Sequence, residues 1–137
     1  SLLHKCEVLS GHFGGRFTMT LKALIQRLGY EVVGIADDVV SAKDQAEQTN
    51  PQLAFVDIQL AKGSSGIDAA AELTKRGVIC IFLTGNPPNG PKPELAIGCL
   101  PKPFSDKVLA AALKIGEAVI EGAPLPEPPP GLQLYHR

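Results

Sequence analysis

Apolar residues fall in short unbroken runs separated by longer stretches of helical spacing, and the two alternate along the chain. The runs are CEVL (6–9), EVVGI (31–35), LAFVD (53–57), VICIFL (78–83) and AIGCL (96–100). VICIFL is continuous and of β-branched and aromatic type, which suits a strand buried on both faces of a parallel sheet. Within residues 17–28, Leu21, Leu24, Ile25 and Leu28 recur at i, i+3, i+4 and i+7, a helical stripe that Gly29 stops. A weaker helix over 39–49 ends at Asn50-Pro51, and a third over 67–75 is closed by Gly77. The last helix, 105–120, has Ser105 as its N-cap and an apolar face that includes Val108, Leu109, Ala112, Leu113 and Ile115. Strand and helix alternate five times. The predicted fold class is therefore α/β, an open parallel sheet with helices on both faces.

Length and composition narrow this picture. A chain of 137 residues, 45% hydrophobic and 20% charged, is one soluble domain's worth of sequence. It can bury roughly two-thirds of its unfolded surface and needs no disulfide or metal to fold. A net charge of -1 lacks the basic excess of a nucleic-acid binder. No run of 18 apolar residues is present, so no membrane span is expected. No basic segment followed by an apolar stretch opens the chain, so no secretory signal is expected either. Cys6, Cys80 and Cys99 are odd in number and form no CxxC, and His4, His12 and His136 are not at HxxxH spacing. The expectation is a reduced, cytoplasmic protein whose thiols serve as small apolar residues. The end of the chain differs in kind. PLPEPPP (124–130) holds five of the twelve prolines and should be polyproline-like or disordered. A linker is the favoured reading there, and a ligand for a proline-reading domain is the alternative.

Three polar residues end strand candidates: Asp57 the third, Thr84 the fourth and Lys102 the fifth. In open α/β sheets functional residues sit at the carboxyl ends of strands. Taken singly, Asp57 could cap a loop, Thr84 could be a strand residue and Lys102 a solvated charge. Together, an acid, a hydroxyl and an ammonium are what aspartyl phosphorylation needs. The carboxylate attacks phosphorus and the donors neutralise the transferred oxygens.

FVDIQLAKGSSGID (55–68), FLTGN (82–86) and LPKPF (100–104), in this order, resemble a response-regulator receiver domain of two-component signalling. The resemblance covers about residues 5–121, leaving 122–137 as a proline-rich tail. It implies a single-domain flavodoxin-like, five-stranded parallel sheet in the order 2-1-3-4-5. It further implies Asp57 as phosphoacceptor, Thr84 as switch hydroxyl, Lys102 as phosphate-contacting cation and a cis Lys102-Pro103 bond. Such domains carry two acids after the first strand that hold Mg²⁺. Counting back without gaps places His12 and Phe13 there, which leaves Asp57 and a backbone carbonyl near Gln59 as ligands and predicts a weak site. His12 as a ligand for a softer metal is an alternative to a plain loop histidine. Glu7 and the pair Asp37-Asp38 are the nearest acids in sequence.

Two further departures follow from the residues. Pro87, Pro88, Pro91, Pro93 and Pro101 crowd the eighteen positions from Thr84 to Lys102, so the fourth helix should shrink to about a turn or be missing. Cys99 stands where relatives have an aromatic three residues before the lysine.

The leading functional expectation is a stand-alone signalling module, not an enzyme. It would accept phosphate on Asp57 from a histidine kinase or phosphotransfer protein and regulate a downstream protein partner, with a homodimer as one arrangement. Only about 16 residues follow the last helix, so no output domain is expected within this sequence, and one removed from it is the alternative. The competing class is a degenerate receiver that binds partners without phosphoryl chemistry. A flavodoxin-like cofactor binder shares the sheet class, but GHFGG (11–15) fits no nucleotide motif.

Overall fold

The computed structural model describes residues 4–11, 16–60, 63–85 and 92–135. In chain order the elements are β1 (Lys5–Leu9), α1 (Arg16–Arg27), β2 (Glu31–Ala36), α2 (Val39–Thr49), β3 (Leu53–Asp57), α3 (Gly66–Lys75), β4 (Ile79–Thr84), β5 (Gly98–Pro101), α4 (Asp106–Glu121) and β6 (Gln133–Leu134). The sheet order is β2-β1-β3-β4-β5-β6. The first five strands are parallel, in the expected 2-1-3-4-5 order, and β6 joins β5 antiparallel.

Local chemistry sets the helix limits. Asp38 caps α2, its Oδ1 accepting from the Ser41 backbone N–H at 2.8 Å. Asn50 ends that helix in the left-handed region at φ 49°, a conformation asparagine tolerates better than most residues. Ser65 caps α3, and Ser105 caps α4 by accepting from the Val108 N–H at 3.2 Å. The expected fourth helix is one turn, in which the N–H groups of Leu95 and Ala96 both donate to the Lys92 carbonyl. Among the described residues between β4 and β5 there is no other helical turn. A proline inside a longer helix would remove a donor and clash with the preceding turn.

Two cores flank the sheet. Under α1 and α4 lie large apolar side chains, among them Leu21, Ile25, Leu53, Phe55, Leu109, Leu113 and Ile115. Under α2 and α3 the packing is lighter, with Ala42, Ala46, Ala54, Ala69 and Ala70 around Leu73, Val56 and Phe82. All three cysteines are free and buried. Burial pushes the Cys80 thiol up to about 12, which keeps it an unreactive thiol at neutral pH.

Glu7 is the exception to this apolar filling. It is 0% exposed in the middle of β1, and neither carboxyl oxygen has a hydrogen-bond partner. Its neighbours across the ladder are Gly34 and Ala54, which leave it room but offer no side-chain donor. Burial pushes its carboxyl up to about 8, because a lone carboxylate in an apolar interior is far costlier than the neutral acid. The folded chain therefore holds a proton that the unfolded chain releases near 4.5. Unfolding in that window releases the proton, so stability should fall as pH rises from about 4.5 to about 8, by up to roughly 1.4 kcal/mol per pH unit. Glu7→Leu should flatten this slope and stabilise the protein at pH 8 by on the order of a few kcal/mol. Urea midpoints at pH 5 and pH 8 for both forms check it, and equal slopes would refute the assignment.

Candidate functional site

Parallel strands joined by helical crossovers bring their carboxyl ends to one rim. Asp57 closes β3 beside Leu83 of β4, and Thr84 follows at the next position, paired with Pro101 of β5. The Lys102 backbone N–H donates to the Thr84 carbonyl at 2.8 Å, which locks the end of β5 to the end of β4. The Lys102-Pro103 bond is cis, as the resemblance implied. The Lys102 ammonium donates to Asp57 Oδ2 at 2.6 Å. The Asp57 side chain is 8% exposed and the lysine 26%. A charge-assisted bond of that length is among the stronger hydrogen bonds a protein makes. The other carboxylate oxygen, Oδ1, accepts from the Gln59 N–H at 3.1 Å. Thr84 is buried.

The loop after β3 is held by close backbone approach. Gln59 bridges to Ser65, and the Gly66 N–H donates to the Ile58 carbonyl at 2.7 Å. A Cβ on Gly66 would run into the Asp57 carbonyl and the Ile58 backbone.

Phe17 is a site residue that the sequence reading missed. Its ring, in the first turn of α1, lies 4.8 Å from Lys102 Nζ and meets Phe104 edge-on at 6.0 Å. The ammonium thus sits over the Phe17 ring, and a ring face attracts a cation. The nearest sequence signal is Phe104, two positions after Lys102. Nothing in the pattern of residues 16–27 marks Phe17 as turned toward the rim.

His12 and Phe13 lie outside the described residues. The residues that directly follow β1 are Ser10 and Gly11. Ser10 stands one position beyond the Leu9–Val56 pair, beside Asp57, and its hydroxyl accepts from Thr18 at 2.9 Å. Glu7 is walled inside the strand, and Asp38 is occupied in capping α2. The Gln59 carbonyl lies against the start of the same loop, 2.7 Å from where a Cβ on Gly11 would stand.

Comparison with known proteins identifies the family. Residues 16–114 match the model of the response regulator receiver domain. The chain belongs to the response-regulator receiver family. It is similar to the phyllosphere-induced regulator PhyR of Methylorubrum extorquens, 40% identical over 100 residues, covering 69% of this chain and 37% of that protein. It is also similar to the transcriptional regulatory protein PdtaR of Mycobacterium tuberculosis, 30% identical over 71% of this chain and 49% of that protein. The chain thus spans less than half the length of these relatives. Among solved structures, the PhyR receiver domain of Erythrobacter litoralis superposes with a TM-score of 0.73 at 27% identity, over 84% of this chain and 90% of that one. PhyR of Brucella abortus gives 0.72 at 29% identity, over 88% of this chain and 49% of that one. The protein is a receiver domain of two-component signalling. Among the described residues no helix is long and apolar enough to cross a membrane.

Receiver domains typically bind Mg²⁺. The described donors of this receiver do not fit that ion. Mg²⁺ asks for several oxygen ligands in near-octahedral array. Here both Asp57 oxygens already take protein donors, and no cluster of three or more His, Cys, Asp or Glu side chains is present among the described residues.

Gly66→Ala should displace the Asp57 backbone and cost about 1–3 kcal/mol, as overpacking does. Urea unfolding measures it, and an unchanged midpoint would show that the loop moves aside freely.

Proposed function

We propose that this receiver accepts a phosphoryl group on Asp57 from a phosphohistidine of a histidine kinase or phosphotransfer protein. An Asp57 carboxylate oxygen forms the new O–P bond. The P–N bond of the donor breaks, and the imidazole nitrogen keeps its electron pair. The receiver is the substrate of that transfer rather than an enzyme, and it works in the cytoplasm. The carrying observation is the 2.6 Å contact between Lys102 Nζ and Asp57 Oδ2 on a rim shared with Thr84. Two like charges about 4 Å apart repel by roughly 4 kcal/mol at an effective dielectric of 20. Lys102 offsets part of that as the anionic donor approaches, and the Thr84 hydroxyl is the nearby group able to donate to a transferred oxygen.

The product would bias the affinity for a protein partner. PhyR of Bartonella quintana is described as an anti-anti-sigma factor, which supports a protein rather than nucleic acid as the downstream target. A second copy of the chain is one such partner.

A second reading, a partner-binding module without phosphoryl chemistry, is favoured by one observation: among the described residues Glu7 is buried in β1, Asp38 caps α2, and no cluster of acids gathers around Asp57. Mass spectrometry after incubation with acetyl phosphate, with and without Mg²⁺, separates the two. One added phosphoryl mass on the wild-type chain and none on Asp57→Asn is the expected result. The reaction should be slow and change less than about threefold with millimolar Mg²⁺, given the missing ligands. No addition under either condition would favour the second reading, and strong Mg²⁺ dependence would reveal ligands among the residues after Gly11.

A further inference from the structure

The sixth strand lies outside the receiver's five-stranded plan. Residues 121–131 are exposed apart from a half-buried Pro129, so this stretch rests on little of the fold. The chain then turns back and docks. Gln133 pairs with Cys99 and Leu134 with Gly98, and the Tyr135 N–H donates to the Ile97 carbonyl at 2.9 Å. Leu132 and Leu134 enter the core under α1 and α4, while Tyr135 enters the core under α2 and α3, beside Phe82, Ala96 and Cys99. Both Leu132 and Tyr135 are less than 10% exposed. Gly98 permits the approach, since a Cβ there would stand 2.5 Å from the Gln133 carbonyl.

This docked segment is short and imperfectly satisfied. The ladder has two residue pairs. The Tyr135 hydroxyl is buried, and the group beside it is the Cys99 thiol, a weak hydrogen-bonding partner. A bond that weak adds little to docking. The strand it grips is the one that delivers Lys102 to the site, three residues beyond Cys99. β5 is thus held at three places: by β4 along its length, by β6 at Gly98 and Cys99, and by the Lys102–Asp57 ion pair just past its end.

We propose that residues 131–135 are a detachable docking strand coupled to the Asp57 site through β5. When Lys102 leaves Asp57, the end of β5 relaxes, the ladder loses its fit, and the segment releases. Release uncovers the β5 edge and the seats of Leu132 and Tyr135. In the phosphorylated protein the trigger is the phosphoryl group, which draws the ammonium outward to its own oxygens, and that part rests on Asp57 being the acceptor. Coupling is reciprocal, so loosening the strand makes Lys102 easier to withdraw and speeds phosphorylation.

Amide hydrogen exchange on the full chain tests this, with the Val8 amide in the central strand β1 as an internal control. Lys102→Ala should speed exchange at Gln133, Leu134 and Tyr135 at least threefold while Val8 is unchanged. If that variant unfolds, Lys102→Gln serves in its place. Wild-type protein treated with acetyl phosphate should show the same local acceleration, and Tyr135→Ala should raise the rate of Asp57 labelling at least threefold. Should no form label at Asp57, the phosphoacceptor reading falls, and the lysine variant alone decides the coupling. Less than threefold acceleration in that variant overturns the proposal, as does acceleration that Val8 shares.

Discussion

One ion pair organises the functional end of this molecule. Asp57 is nearly buried at the end of β3, and a carboxylate in that position needs a counter-charge. Lys102 supplies it from β5, two strands away in the sheet, across the end of β4. The pair therefore requires that three strands be parallel, in register and of matched length. The backbone contacts of Lys102 with Thr84 and of Ile58 with Leu83 show that register being kept to the last residue. Phe17 lies against the ammonium and Phe104 against Phe17, so the first turn of α1 is tied to the same charge and the approach to α4 to that ring.

Much of this was legible in the sequence because it depends on local pattern. Continuous apolar runs gave the parallel strands, and strand-end positions singled out Asp57, Thr84 and Lys102. The prolines between Thr84 and Lys102 pointed to a fourth helix of about a turn or none, since each removes a donor that a helix needs, and the described residues there form one turn. What the sequence hid depends on distance. QL in GLQLY is too short to read as a strand, and its partner Cys99 lies more than thirty residues earlier. The proline run before it suggested a solvated tail, which holds for residues 124–128 but not for Leu132 or Tyr135. Glu7 in CEVL was one of the acids nearest in sequence to the expected metal pocket, and nothing in the run shows how deeply it is buried. Only the fold, which puts β1 between β2 and β3 with a packed helical layer on each face of the sheet, shows that it is covered on every side.

The two cores differ in a way that bears on function. The α1/α4 face is filled by large aliphatics without an orphaned polar atom among its members. Deleting a methylene there leaves a cavity, so that face resists rearrangement. The α2/α3 face is lined by alanines, and the Tyr135 hydroxyl lies within it with a thiol beside it. Small side chains make fewer dispersion contacts, and a poorly satisfied hydroxyl raises the energy of the packed state. That layer is thus the softer of the two.

Softness on one side of a sheet determines where a perturbation at the rim can travel. A change at Asp57 acts first on Lys102, and Lys102 continues directly from β5. The α1/α4 side of β5 presents Leu100 to a dense core that includes Leu109 and Leu113. Its other side presents Cys99, beneath Tyr135 and next to a single turn where relatives have a helix. Movement of β5 therefore meets least resistance toward the α2/α3 side and the docked tail. The proline-crowded connection and the added strand thus meet at β5: among the described residues a single turn precedes it, and Tyr135 covers its Cys99 side, held by a two-residue ladder.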